Sequence, residues 1–524
     1  MFLPAADTPS HLSTAESQPL SRISLLLCMI AGGLSVLSFA PFGWWPLQIA
    51  GLALLIFYFI RVARPRDAFL LGWTFASVFL MAGTHWLVVS LHTYGGLPAW
   101  LAVLAIMLLS ASLGLLYGLA LWLGAHIALR INRAGITALA IAPACWMLAD
   151  WTRSWIFTGF SWLATGYAHT TSPLAGYAAV IGVYGVGWIC AVIAGCIAWM
   201  IHARHLHRTS IAYIVLCMGV GSALTTIQWT EANGSLIRVR LLQGNIPQQM
   251  KFDADHVLQS LALYRDMITE APADLIATPE TAVPLLSTQL PEGYLENLAH
   301  FAWESNSTLL VGIPWSTGPG IYLNSVTGYS FGQARPYRYD KHHLVPFGEF
   351  IPPGARWFVD MMHIPLGDFG RGDLYQPPID VRDQWVLPNI CYEDLFGEEI
   401  AAQIAAAVDR HSSVPSILLN VSNIAWFGDT IALPQHLQIS QMRTLESGRP
   451  MLRATNTGAT AVINGKGQIT AQLPAWTRGT LQADVQGMKG MTPYLRLGNL
   501  PVITLASLLL LGLWWIGRQP RKSG

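Results

Sequence analysis

Three short polar stretches of this chain carry side chains able to do covalent chemistry. In Ile276-Ala-Thr-Pro-Glu-Thr281, Glu280 lies just past an apolar run. In Tyr339-Asp-Lys-His-His-Leu-Val-Pro-Phe-Gly-Glu-Phe350, Lys341 precedes an apolar turn and Glu349 follows it. In Leu387-Pro-Asn-Ile-Cys-Tyr-Glu-Asp-Leu-Phe-Gly-Glu-Glu399 an apolar run ends at Cys391, and acid occupies the first turn of a helix-like tail. That is how a nucleophile between a strand and a helix reads. The chain has six cysteines, and Cys28, Cys145, Cys190, Cys196 and Cys217 all lie in long apolar segments. Cys391 therefore has no partner in its own region, and is either a small buried hydrophobe or a working thiol. A thiol needs help at neutral pH. A carboxylate can take its proton, and a lysine can stabilise both thiolate and oxyanion. Taken singly, each group reads more simply as structural: Glu280 as a helix cap, Lys341 as a surface charge.

Other motifs lead nowhere. Gly328-Tyr-Ser-Phe-Gly332 matches a nucleophile-elbow pattern, but that pattern needs a helix after the serine. Gln-Ala-Arg-Pro follows instead, and the stretch reads as a hairpin. His342 and His343 are adjacent and face apart, with no HExxH or CxxC nearby, so no metal site is expected. There is no P-loop and no G-x-G-x-x-G, and a net charge of +1 gives no reason to expect nucleic acid.

The elements that position these residues divide the chain in two. Only 11% of the 524 residues are charged and 53% are hydrophobic, with mean hydropathy +0.42. Soluble domains average about 25% charged. Before Trp229 the only acids are Asp7, Glu16, Asp67 and Asp150, and the first lysine is Lys251. This implies a disordered polar tail over 1–21, a membrane domain over 22–229, a globular domain over 235–488, a closing span over 499–517 and a tail over 518–524. Spans are expected near 22–40, 44–60, 68–91, 98–129, 136–152, 174–201 and 210–228, since a crossing needs about 20 apolar residues. The fifth is the least regular, because it contains Pro143 and ends in Asp150-Trp-Thr-Arg153.

Charge sets the orientation. Arg22 precedes the first span, and basic residues follow the second (Arg61, Arg64, Arg66), fourth (Arg130, Arg133), sixth (Arg204, Arg208) and eighth (Arg518, Arg521, Lys522). The loops Pro41–Pro46 and His92–Gly96 carry no charge. Both termini are thus expected in the cytoplasm and the globular domain on the outer face. Aromatic residues crowd the outer loops, as an interfacial belt or as a wall for an acyl chain. His85 falls inside the third span, where a neutral ring bonded to a neighbouring helix is the simpler reading. In the globular half, strand-like runs (237–243, 275–278, 308–313, 322–331, 384–390, 416–421, 451–455, 460–463, 480–485) alternate with helical ones (253–268, 295–303, 401–408, 436–446). That pattern indicates an α/β sheet with helices on its faces.

Glu280, Lys341 and Cys391, in that order and each after a strand, resemble the Glu-Lys-Cys triad of the nitrilase (carbon–nitrogen hydrolase) superfamily. Longer strings resemble the bacterial apolipoprotein N-acyltransferase family: Gln243-Gly-Asn-Ile-Pro-Gln248, Pro279-Glu-Thr281, Lys341 to Phe350, Ile390-Cys-Tyr-Glu393, Ala425-Trp-Phe-Gly428, and Met442-Arg-Thr-Leu-Glu446 through Arg453-Ala-Thr-Asn-Thr-Gly458. The resemblance covers nearly the whole chain. One departure is Ile424, where that family usually has Asp. The resemblance implies a polytopic α-helical membrane domain of about eight spans, with an αββα nitrilase-like sandwich on the periplasmic side of the bacterial inner membrane. It also implies the last step of lipoprotein maturation without a metal or cofactor, in a monomer, with a phospholipid as acyl donor and an apolipoprotein as acceptor. Cys391 would attack an ester carbonyl of the phospholipid, Glu280 would take the thiol proton, and Lys341 with the Tyr392 N–H would hold the oxyanion. The α-amine of a diacylglyceryl-cysteine would then open the thioester. Glu349, Tyr392 and Glu393 would support the pocket, and Trp229, Trp426 and Phe427 would hold acyl chains. A membrane-tethered amidase with the same triad is the alternative. Apolar lids at Leu344-Val-Pro-Phe347, Trp357-Phe358 and Ile424-Ala-Trp-Phe427 favour acyl transfer. A transporter would need paired charges inside its spans, which are almost lacking.

Overall fold

A computed structural model describes residues 20–251, 254–333, 335–351, 369–410 and 413–519. Most of the expected N-terminal tail, the lid residues Trp357 and Phe358, and the basic residues Arg521 and Lys522 lie outside these.

The N-terminal half is helical. Among the described residues, three helices are long and apolar enough to cross a membrane: Ala99–Ile131, Ala134–Arg153 and Ala175–Ala203. A fourth crossing is formed if the helix Pro65–Gly83 is joined to Leu87–Tyr94 across a 63° bend. The third expected span is therefore broken at residues 84–86. His85, at the break, is exposed and bonds Ala82 O of its own helix at 2.8 Å, not a neighbouring helix. Shorter apolar helices cover Arg22–Ser38, Pro46–Phe59, Arg208–Leu224 and, at the far end, Leu500–Ile516. The irregular fifth segment holds because its charges are buried and paired. Arg153 Nε donates to Tyr117 Oη at 3.0 Å and Arg153 Nη1 to the Trp162 carbonyl at 2.6 Å. Asp150 accepts from Tyr117 and, at 2.9 Å, from the Thr165 N–H. The polar tail of this helix thus braces the loop that carries Trp162.

The C-terminal half is built from two six-stranded sheets. The first has the order β12-β1-β2-β3-β4-β5, with β1 Thr230–Gln243, β2 Leu275–Ala277, β3 Thr308–Gly318, β4 Ile321–Tyr329, β5 Tyr337–Asp340 and β12 Gly479–Gly490. The second runs β11-β10-β9-β8-β7-β6, with β6 Ile379–Val381, β7 Gln384–Ile390, β8 Ile417–Ser422, β9 Met451–Thr455, β10 Ala461–Ile463 and β11 Ile469–Gln472. In each sheet three strands are parallel, β1-β2-β3 and β7-β8-β9, and the rest antiparallel. Strands β2, β7, β8 and β9 read as near-continuous apolar runs because both faces are covered. One apolar cluster joins side chains of both sheets, among them Val239 and Leu310 from the first and Ile390 and Leu419 from the second. The helices Ala254–Thr269 and Tyr294–Glu304 cover the first sheet, and Gly397–Asp409 covers the second.

The two halves share one core. Tyr392, Leu395, Phe396, Ala432, Ile439 and Met442 pack into the same apolar cluster as Trp86, Trp162, Tyr167 and Tyr184 of the helical half. Polar contacts reinforce this. At Gly182 the helix Ala178–Ala203 has φ +64, and a Cβ there would meet Tyr494 at 2.3 Å. The Val183 N–H that the break frees donates to Glu446 Oε1 at 2.9 Å, and Arg443 pairs with the same carboxylate at 3.2 Å. Removing one partner of a buried pair costs about 3 kcal/mol or more. Glu446→Leu is therefore expected to lower the thermal unfolding midpoint of detergent-solubilised protein by several degrees. Glu304→Leu, at an exposed pair with His300, should leave it unchanged. Equal midpoints for the two variants would contradict this account of the junction.

Candidate active site

The reactive residues all stand just beyond strand ends, where α/β sheets bind ligands. Glu280 follows β2, Lys341 follows β5 and Cys391 follows β7. Cys391 has φ +53, a left-handed conformation that costs a β-substituted residue energy and turns its thiol out of the strand direction. A 3₁₀ turn, Cys391–Leu395, follows it.

The charged groups meet in one buried cluster. Lys341 Nζ lies 2.8 Å from Glu349 Oε1 and 3.3 Å from Glu280 Oε1. Asn324 Nδ2, from β4, donates to both carboxylates, at 2.8 Å to Glu280 and 2.6 Å to Glu349. The Asn423 N–H, just past β8, donates to Glu280 Oε2 at 2.9 Å. Glu280, Lys341 and Glu349 are all buried, while Cys391 is half-buried. Glu349 also accepts the Val345 N–H at 2.8 Å, which closes its own loop. Glu393 joins the lysine and cysteine segments: it accepts from the N–H groups of Ile390 (2.6 Å) and His342 (2.7 Å) and from Tyr339 Oη (3.0 Å).

Electrostatics assign the protons. Burial works against charge on Lys341, but Glu349 and then Glu280 more than offset it and raise the ammonium well above its ordinary range. Burial would raise Glu280, yet Lys341, the Asn324 amide, Lys251 and the Asn423 N–H hold it below the usual carboxylate range. Burial, then the Glu280 carboxylate, push the Cys391 thiol up. The resting site is thus a protonated thiol beside an ionised carboxylate and a cationic lysine.

Of the other expected residues, Trp426 and Phe427 lie on the turn Ile424–Phe427 that follows Asn423. Phe427 packs on Trp86 with ring centroids 4.4 Å apart and Trp426 on Tyr94 at 5.5 Å, both on the helical half. Tyr392 Oη donates to the Gly159 carbonyl at 2.7 Å, so this side chain points into the junction between the halves. Ile424 is fully buried. Trp229 is not brought to this site. It precedes Thr230, which pairs with Gly490, whereas β1 pairs β2 near its other end, at Leu241 and Ala277. The two ends are roughly 35 Å apart at about 3.3 Å per residue. Ser330 follows β4 at the turn toward antiparallel β5 and donates to Thr308 Oγ1 at 3.1 Å, as a hairpin residue. His342 bonds the Gly372 carbonyl, and His343 bonds Glu399 and the Thr158 carbonyl.

Sequence reasoning missed Asn324, Asn423 and Lys251. Lys251 Nζ, buried, donates to the Glu280 carbonyl at 3.0 Å, and burial brings it down to about 7. The one available signal was its place as the first lysine of the chain. Its cationic form lowers both Glu280 and, through the same field, the thiol. Lys251→Met is expected to move the pH profile of Cys391 alkylation by iodoacetamide to higher pH, and Lys251→Arg to restore it. An unchanged profile in the Met variant would show that Lys251 does not act on this pair.

The comparisons agree with this geometry. The family "Apolipoprotein N-acyltransferase N-terminal domain" matches residues 31–196, and the carbon–nitrogen hydrolase family matches residues 238–493. An apolipoprotein N-acyltransferase of Ralstonia nicotianae is 48% identical over 97% of this chain and 96% of its own. That of Nitrosomonas europaea is 44% identical over 93% and 96%. That of Bordetella bronchiseptica is 40% identical over 98% and 100%. With relatives this similar from end to end, and a thiol, carboxylate and ammonium gathered where the helical half meets the sheets, the chain belongs to the apolipoprotein N-acyltransferase family.

Proposed function

We propose that the chain transfers an acyl group from a phospholipid to the N-terminal amine of a diacylglyceryl-cysteine, through a thioester on Cys391. The observation that carries this is the placement of the Cys391–Glu280–Lys341 cluster. It sits on a sheet domain whose nucleophile turn packs into the core of an apolar helical half. Cys391 Sγ attacks the ester carbonyl, its proton passes to Glu280, and the oxyanion is held by Lys341 Nζ and the Tyr392 N–H. The ester C–O bond breaks, and Glu280 gives its proton to the departing lysophospholipid oxygen. The acceptor amine then attacks the thioester carbon and passes a proton to Glu280. That proton returns to sulfur as the C–S bond breaks. Glu349 keeps Lys341 charged and in place, and Glu393 fixes the spacing between Lys341 and Cys391. No step calls for a metal or cofactor.

In this reading the apolar helices make eight crossings of the bacterial inner membrane, with both termini cytoplasmic. The two sheets and their helices form an αββα sandwich on the periplasmic side. The enzyme works as a monomer, taking both lipid substrates from the side. Trp426 and Phe427, against Trp86 and Tyr94, form an apolar rim that suits acyl chains better than the small polar substrate of an amidase. The rim also keeps water from a thioester that hydrolysis would waste.

Cys391→Ala is expected to abolish both the acyl-enzyme and the transfer while retaining the wild-type melting profile. Glu280→Gln should slow thioester formation on the order of 10²- to 10⁴-fold. Intact-mass spectrometry of purified protein given phospholipid reads both. If wild-type protein never gains an acyl group at Cys391, the proposal is wrong.

A further inference from the structure

Beneath the nucleophile lies a buried polar network that the mechanism above does not use. The Cys391 carbonyl accepts two hydrogen bonds, from Asn420 Nδ2 and from His436 Nε2, each at 3.3 Å. The proton on His436 is fixed by its other nitrogen. Nδ1 faces Arg453 Nη2 at 2.7 Å. A guanidinium only donates, so Nδ1 must accept and Nε2 must carry the hydrogen. Arg453 is itself held by Asp394 at 3.0 Å and by Ser440, which also bonds Asp394. His436, Arg453, Asp394, Ser440 and Asn420 are all buried. Trp162, from the helical half, stacks on the His436 ring at 5.5 Å and 16°, which fixes the ring plane.

The carbonyl of Cys391 and the N–H of Tyr392 belong to one peptide group. That group is planar and trans, so its C=O and N–H point in opposite directions. Anchoring the carbonyl on Asn420 and His436 therefore aims the N–H to the side opposite them. That N–H lies in the first turn of a 3₁₀ helix, where the helix offers it no acceptor. Two donors on the carbonyl also polarise the amide and strengthen its N–H as a donor. We propose that His436 is a positioning residue for acyl transfer: by holding the Cys391 carbonyl it aims the Tyr392 N–H at the oxyanion. The inference rests on the acyl-transfer reading above and adds a residue that acts through the nucleophile's own peptide group. Burial, with Arg453 alongside, holds the ring neutral well below the ordinary histidine range. His436 therefore serves as a fixed donor and not as an acid–base group.

The test separates chemistry that needs an oxyanion site from chemistry that does not. Attack on a phospholipid ester builds negative charge on oxygen, whereas alkylation by iodoacetamide proceeds at a saturated carbon and builds none there. Full-length wild type, His436→Phe and His436→Gln, in lipid nanodiscs after hydroxylamine treatment, are assayed for two rates at Cys391. One is thioester formation from phospholipid and the other is iodoacetamide alkylation, both resolved by peptide mass mapping. Losing an oxyanion donor costs on the order of 10²-fold. His436→Phe should lose about that much in thioester formation while its alkylation rate stays within about threefold of wild type. His436→Gln, whose amide can still donate to the Cys391 carbonyl, should recover a measurable part. The inference is overturned if thioester formation is unchanged in His436→Phe, or if alkylation falls in parallel with it. Wild type that alkylates at Cys391 but forms no thioester would instead sink the acyl-transfer reading itself.

Discussion

Everything at this site depends on keeping charge out of water. Lys341 is buried within hydrogen-bond reach of both Glu280 and Glu349, which are buried too. Isolated ions in such a place would neutralise, because desolvation penalises each charged form. Here the ammonium lies between the two carboxylates, Asn324 donates to the same Oε1 atoms, and the Asn423 N–H satisfies Glu280 Oε2, which the lysine leaves over. Lys341 and Glu280 are therefore held in their charged forms although buried. The cost is a thiol whose deprotonation is opposed by the adjacent carboxylate, so the sulfur is activated only when its proton has somewhere to go.

The same burial explains why the two halves are not separable modules. The turn after Cys391 places Tyr392, Leu395 and Phe396 in the core of the helical half. His343 reaches the Thr158 carbonyl and Tyr392 the Gly159 carbonyl. Trp86 and Trp162 both donate to the Gln435 side-chain oxygen on the helix Ala432–Ser447, one residue before His436. The surroundings of the Cys391 turn are thus contributed by both halves, which share one apolar core.

Much of the fold was legible because its signals are local. Strands β3, β7, β8 and β9 were readable as apolar runs bounded by breakers. The helical segments were readable from length and hydropathy. What escaped had weak local signal. Strands β6 and β11 have only three and four residues, too few for an alternation to stand out. The 63° bend after Gly83 sits in sequence as apolar as a straight span, because the break answers to packing at Trp86, whose ring is buried against Trp162 and Phe427. Trp229 was grouped with the site because of the resemblance alone, and the register of β1 against β12 and β2 puts it at the other end of the strand.

The sequence by itself offered the residues able to do chemistry and, through its resemblance to a family, the roles expected of Glu280, Lys341 and Cys391. It also offered an expected orientation from the basic residues at helix ends, since residue type and order along the chain are local properties. Only the tertiary structure decided how those residues are held. Asn324, Asn423, Lys251 and His436 lie far apart in the chain and have ordinary neighbours in sequence. Their roles come from distances across two sheets and a helical core. A hydrogen bond depends on separation in space, which local sequence pattern does not encode.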